Sequence, residues 1–303
     1  MTRSQHLTLM GNDGMQLLVE QFCALLRETH PDARFHVDLR GSSTAIPALA
    51  SGASDLAPMS RLPWRGDAAT FRSARGYQPT SIRVGYAGHG PRVGAKTPPA
   101  IYVHKDNPLA GLAVGDLARV FCPGRPEGDI TFWDQLGLEG RWTGRRIHVY
   151  GLRDDGKYAT GFRDTYLHAP VYVAHYETLD SREAVIRAVA DDPFGIGAIG
   201  WLETAKVSDA VRILPLSRTA GEAFRTPCLD HVAAGDYPLS APVAFYFDLP
   251  KGGTLTPLIR DFLTLALSGR GQAIVADMTR TREGYVPLCD ADLLVERNRL
   301  SQL

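Results

Sequence analysis

Residues 6–26 read HLTLMGNDGMQLLVEQFCALL, and the order of their patterns decides the class of fold. His6 to Met10 alternates in the manner of a short strand, and Gly11-Asn12-Asp13-Gly14 is turn chemistry. Met15, Leu18, Val19, Phe22, Cys23 and Leu26 then recur at the three-and-four spacing of a helix with one buried face, and Pro31 lies just past its end. The same strand, turn and helix order continues outward. Residues 34–39 (RFHVDL) alternate as a strand, Gly41-Ser42-Ser43-Thr44 starts a short helix, and Ser54 to Met59 reads as a buried strand. Further strands are expected at 82–86, 101–104, 147–150, 195–202 and 243–249. Helices are expected around Phe162, Tyr166 and Leu167, after a cap at Ser181, and from about Pro257 to Val275. The segment GHGPRVGAKTPP (88–99) is too rich in Gly and Pro for regular structure. Such alternation describes an α/β protein with helices on both faces of its sheets.

The chain has 303 residues, which suggests about two domains. Its 33 Lys and Arg balance its 33 Asp and Glu, so no net field draws it to nucleic acid or to an anionic membrane, and charge chemistry must be local. With 44% hydrophobic and 22% charged residues it reads as an ordinary globular protein, and no apolar run approaches the roughly 18 residues of a spanning helix. Its first residues carry no apolar export segment, so either it works in the cytoplasm or a signal peptide has been removed. Cys23, Cys122, Cys228 and Cys289 are widely spaced, with no zinc pattern. Cys23 falls on an apolar helix face, and whether one disulfide forms among the four stays open.

Three strand exits share a chemistry. Asn12-Asp13-Gly14, Ser42-Ser43-Thr44 and Asp154-Asp155-Gly156 each place capping residues directly before a helix, where free N–H groups and the helix dipole favour an anion. Plain capping is the simpler reading of any one of them, and Arg153 beside the third could be a solvated surface charge. Only convergence in a fold would make them a site.

Seven segments occur in an order that resembles a known family: GNDGM (11–15), GSSTAIPALASGASDLAPMSR (41–61), YVHKDNPLAGL (102–112), LARVFCPGRPEGDITFWDQL (117–136), RDDGKYATGFRDTYL (153–167), GIGAIGWLE (195–203) and PLSAPVAFYFDLPKG (238–252). They resemble the phosphate-binding proteins that feed bacterial phosphate ABC importers, and their wider phosphate-binding-like family, over nearly the whole chain. The resemblance implies a two-lobe, type II periplasmic-binding-protein-like α/β fold with two crossing hinge strands near 85–90 and 240–245. Lobe one would comprise residues 1–86 and 244–303, and lobe two residues 90–240. It also implies a ligand, phosphate or a related oxyanion, held in an interlobe cleft without a cofactor or metal, an ABC permease as partner, a monomeric state and a periplasmic location.

Position by position, the resemblance is uneven. The family's first loop offers a Thr hydroxyl and the next amide; here Gly14 and Met15 leave only amides. Ser42 matches the ligand serine. Ser60 stands where the closest phosphate importers carry an aspartate, although Ser-Arg here is common in the wider family. Arg153 and Asp155 match the anion-pairing arginine and the aspartate that holds it. The family's Ser-Gly-Thr is Lys157-Tyr158-Ala159, which removes two hydroxyls. Lys157 could restore positive charge or point to solvent. Tyr158 could cover the anion, stack on a larger ligand, or pack as wall. The departure admits an alternative reading, an envelope-associated sensor or interaction module of the same fold with a lost or changed ligand. An enzyme would need a nucleophile and base; Cys122 and His89 are the available candidates, and no G-x-S-x-G, H-E-x-x-H or P-loop pattern accompanies them.

Overall fold

The computed structural model describes residues 5–87, 99–155, 158–201 and 207–303. Lys157 and His89 lie outside the described residues, as does all but the last residue of the 88–99 loop. The chain forms two compact units: unit 1 is Met1–Lys96, Val232–Gly235 and Ala241–Leu303, and unit 2 is Thr97–His231 and Asp236–Ser240.

The first stretch of unit 1 runs β1 (His6–Met10), α1 (Gln16–Arg27), β2 (Arg34–Asp38), α2 (Ser42–Ser51), β3 (Ala57–Met59), α3 (Arg65–Arg75) and β4 (Thr80–Ala87). The middle of the chain runs β5 (Pro99–His104), β6 (Leu112–Ala113), α4 (Val114–Phe121), β7 (His148–Leu152) and α5 (Tyr158–Gly161), which continues as a π-helical turn, Phe162–Tyr166. It goes on through β8 (Tyr176–Leu179), α6 (Arg182–Asp191), β9 (Gly195–Gly200), β10 (Val211–Ile213), β11 (Leu216–Ser217) and α7 (Leu229–Ala233). The return to unit 1 supplies β12 (Ala241–Phe247), α8 (Pro257–Ala266), α9 (Gly269–Met278), β13 (Tyr285–Pro287) and α10 (Asp290–Ser301).

In unit 1, β1 pairs with β2 in parallel, and β13, β4, β12 and β3 form an antiparallel sheet in that order. A parallel bridge from Leu9 to Leu56, the residue before β3, joins the two into one surface. Period-two alternation then puts helices on both faces. Phe245 of β12 meets Phe22 of α1 and Phe262 of α8, with ring centroids 6.1 and 5.1 Å away. Its neighbours Ala244 and Tyr246 pack with Ile46 and Leu49 of α2 and Phe71 of α3. Unit 2 is built on the order β10-β5-β9-β7-β8, with β7 parallel to both neighbours. Val185 and Val189 of α6 lie over Gly197, where a Cβ would meet them at 2.9 and 3.0 Å, so this strand needs glycine to bring helix and sheet together.

Three expectations are corrected. The helix from 257 to 275 is two helices, because Ser268 caps a new start at Gly269, its hydroxyl accepting from Gly271 N at 3.1 Å. The apolar period merely continues across the break. The strand at 54–59 shortens to Ala57–Met59, since Ser54 uses its hydroxyl to accept from Met10 N and donate to Leu56 O. All four cysteines are free thiols, so the disulfide left open by the sequence is not formed. Helices α3, α4 and α10 were not anticipated; α3 buries only Phe71, and α10 leaves Leu294 and Val295 exposed, so neither α3 nor α10 shows a clean apolar stripe.

Candidate functional site

The carboxyl ends of β1, β2 and β3 lie side by side, and backbone hydrogen bonds join the turns that leave them. Gly11 N donates to Asp38 O at 3.3 Å, Gly41 N to Gly11 O at 2.8 Å, and Asn12 N to Pro58 O at 2.9 Å. Gly11 is demanded by this approach, because a Cβ there would sit 2.4 Å from Pro58 O. Asn12 is fully buried; its side-chain amide donates to Ser60 Oγ at 2.5 Å and its side-chain oxygen accepts from Gly14 N at 3.1 Å. Gly14, Met15, Ser42 and Ser60, spread over 14–60 in sequence, are thereby gathered at one sheet edge, the edge where open α/β sheets take ligands.

The amides at this edge differ from expectation in one respect. Gly14 N is bonded to the Asn12 side chain and Met15 N to Asn12 O at 3.0 Å, so both already have internal acceptors. The next free turn of α1 is also taken: Leu17 N and Leu18 N donate to the two oxygens of Glu283 at 2.6 and 3.1 Å. Burial pushes the Glu283 carboxyl above its ordinary value, the two amides pull against that, and Glu20 adds to the rise. Ser42, half-buried, opens α2 behind Gly41, whose φ of 129° suits glycine alone, and Thr44 turns its hydroxyl back to Gly41 O at 2.8 Å.

In unit 2, Arg153 follows directly on β7. Its side chain is 72% exposed, and its Nη2 lies 3.8 Å from Asp180, itself 98% exposed. Asp155 is exposed. Between them Asp154 is firmly held: Arg163 Nε donates at 2.8 Å, Thr160 donates its hydroxyl, and Arg163 also reaches Ala169 O at 2.7 Å. Burial raises the Asp154 carboxyl, but the bonds from Arg163 and Thr160 and the guanidinium charge outweigh it, leaving a net fall. Tyr158 settles into unit 2, beside Tyr102, Tyr166, Tyr172 and Tyr237; its hydroxyl is buried and finds no hydrogen-bond partner among the described residues, and burial drives the phenol well above its ordinary value.

A family model described as "PBP superfamily domain" matches residues 2–270. The phosphate-binding protein PstS of Pseudomonas aeruginosa is 30% identical over 291 residues, 94% of this chain and 84% of the relative.

The chain belongs to the PBP superfamily.

The PstS structure from Borrelia burgdorferi matches with a TM-score of 0.60 at 16% identity, covering 94% of this chain and 99% of that one. An ABC-type phosphate transport receptor from Vibrio cholerae gives 0.56 at 18%, covering 93% and 99%. These two carry the fold, a mixed α/β architecture, and the Pseudomonas relative places the chain beside a named phosphate-binding protein. The seven-segment resemblance therefore holds at the level of family. The relatives are binding proteins, and in this PBP superfamily member the enzyme candidate Cys122 is fully buried, its thiol pushed up to about 11 by burial against the pull of Arg125 and Arg163. Among the described residues no group of three or more His, Cys, Asp or Glu could hold a metal ion, and no helix is long and apolar enough to cross a membrane.

Sequence reasoning singled out Asn12 and Asp154 as capping residues and missed three others that organise these turns. Arg163, nine positions after Asp154, carried a local sign. Glu283 and Tyr285, 266 and 271 positions from their partners, carried none.

Proposed function

We propose that this PBP superfamily member captures orthophosphate or a closely related oxyanion as the solute-binding component of an ABC importer, acting outside the cytoplasmic membrane as a monomer that delivers to a permease. The observation that carries the reading is the gathering of Ser42, Ser60 and the start of α2 at the carboxyl ends of β1, β2 and β3, in a chain of this family. Ser42 and the first-turn amides of α2 supply neutral donors from unit 1, with Ser60 and the Gly14–Met15 turn beside them. Arg153 of unit 2 supplies the charge, Asp155 orients it, Lys157 adds to it, and Tyr158 stiffens the turn. Charge-assisted hydrogen bonds contribute about 1.5–3 kcal/mol each against an association cost of about 4–15 kcal/mol, so an ion pair with about six donors reaches micromolar affinity, near 8 kcal/mol.

Calorimetric titration with orthophosphate, arsenate, sulfate, phosphonates and phosphorylated metabolites tests the reading. Micromolar or tighter binding of a tetrahedral oxyanion is expected. Arg153→Ala should weaken it at least a hundredfold and Arg153→Lys should recover little, because the planar fork of guanidinium matches two oxygens at once. Absence of binding to every anion, or an Arg153→Ala variant with parental affinity, rejects the assignment.

A further inference from the structure

Glu283 lies between α9 and β13, yet both of its carboxylate oxygens accept hydrogen bonds from the start of α1, across 266 and 265 positions of sequence. The same short segment grips the turn before α1 as well, since Tyr285 donates its hydroxyl to Gly14 O. It is itself braced. Thr281 Oγ1 accepts from Glu283 N at 3.2 Å and donates to Met278 O at 2.8 Å, Thr279 Oγ1 donates to Tyr285 O at 2.8 Å, and Tyr285 pairs with Ala87 of β4. Gly14 and Met15 therefore sit between two fixed points, the Tyr285 hydroxyl on one side and the Glu283 carboxylate on the other.

The first turn of a helix has amides without intrahelical partners and a partial positive charge, and an anion there is stabilising. In α1 the chain supplies that anion itself. We infer that Glu283 is a positioning residue, an internal carboxylate that fixes the start of α1 and, with Tyr285, sets the Gly14–Met15 turn in the geometry used for ligand capture. The step from turn to ligand rests on the function proposed above; the hold on the turn does not. Two consequences follow. The amides of Leu17 and Leu18 are closed to an external anion, and the charge at the start of α1 is offset from within, so a ligand at this edge meets Ser42 at the start of α2 rather than the first turn of α1. Glu20 of α1 is the charged neighbour that acts against the carboxylate.

The experiment compares the parent with Glu283→Gln and Glu283→Ala by amide hydrogen exchange and by orthophosphate titration. Exchange at Gly14, Met15, Leu17 and Leu18 should quicken at least tenfold in Glu283→Ala. Sodium acetate, against sodium chloride at equal ionic strength, should reverse much of this by placing a free carboxylate where the side chain was. Glu283→Gln, which keeps one acceptor oxygen and loses the charge, should fall between, and it carries the test if the alanine variant does not fold. Quickening confined to Leu17 and Leu18 would overturn the positioning role, and failure of acetate to act would overturn the internal anion. With an orthophosphate-binding parent, affinity should drop at least tenfold in Glu283→Ala and be partly restored in Glu283→Gln; parental affinity in a folded Glu283→Ala variant also overturns the inference. A parent that binds neither orthophosphate nor any of the other anions titrated above removes the proposed function, and the exchange and acetate arms still decide whether Glu283 holds the turn.

Discussion

The turn after β1 and the turn after β7 have similar text, Asn12-Asp13-Gly14 and Asp154-Asp155-Gly156, and are held in opposite ways. In unit 1 the first residue of the motif is fully buried, and its side chain reaches Ser60, 48 positions on, while Tyr285 anchors Gly14 from 271 positions away. In unit 2 the first residue keeps 30% of its side chain exposed and takes its partners from the helical turns that follow, Thr160 and Arg163, six and nine positions on. Both exits lie between two parallel strands, β1 between β2 and β3 and β7 between β8 and β9, so the difference lies in which residues reach each turn: Ser60 and Tyr285 come from distant elements, whereas Asp154 is held by its own downstream chain. A turn held by long-range contacts shares the stability of the whole unit; one held locally can open by itself.

The contrast can be broken most directly at Gly11. Gly11→Ala drives a methyl into the Pro58 carbonyl, which is backbone in a paired strand and cannot swing away. A loss of about 2–3 kcal/mol in urea unfolding is expected, felt throughout unit 1. A loss below about 0.5 kcal/mol would mean that the β1 and β3 exits are not tightly joined.

A smaller effect sharpens the other side. Asp154→Ala removes the acceptor of Arg163 and Thr160, and about 1–2 kcal/mol should disappear near neutral pH. Exchange should quicken over 154–166 and not in unit 1. Because the carboxyl of Asp154 is lowered in the folded state from an ordinary value of 3.8, its contribution is complete above that value and fades as pH falls through the folded value. Parent and variant should therefore draw together in stability as pH falls from 3.8 through the folded value. An undiminished gap at low pH would remove charge from the explanation.

The least change is expected at Tyr158. Its hydroxyl is buried with no partner among the described residues, so Tyr158→Phe should hold or raise stability by about 0.5–1 kcal/mol, read as a shift in thermal unfolding. A fall of more than about 1 kcal/mol would show that the hydroxyl has a bond worth keeping, and would move Tyr158 from packing to a polar role.

What could be read in advance followed from the range of each interaction. Helix α1 was legible because Leu18, Val19, Phe22, Cys23 and Leu26 declare one face within three turns. The break between α8 and α9 was not, because apolar residues continue through it while a single Ser268 hydroxyl restarts the helix. In the turns, Asn12 and Ser42 stood out as capping residue types, yet the occupied amides of Gly14 and Met15 could not be seen, since capping text does not say which acceptor wins.

By itself the sequence determined the alternation of strand and helix, the capping serine before α6, and a family resemblance carried by seven ordered segments; Ser42-Ser43-Thr44, read as caps, form the first turn of α2 behind Gly41. These are properties of residues within a few positions of one another, or of order along the chain. Only the tertiary structure decided that Asn12 bonds Ser60, that Pro58 demands glycine at position 11, and that Glu283 completes a helix begun 267 positions earlier. Hydrogen bonds act over about 3 Å of space with no regard to sequence separation, so the partner of a buried polar group is settled by which strands and helices the sheets bring together.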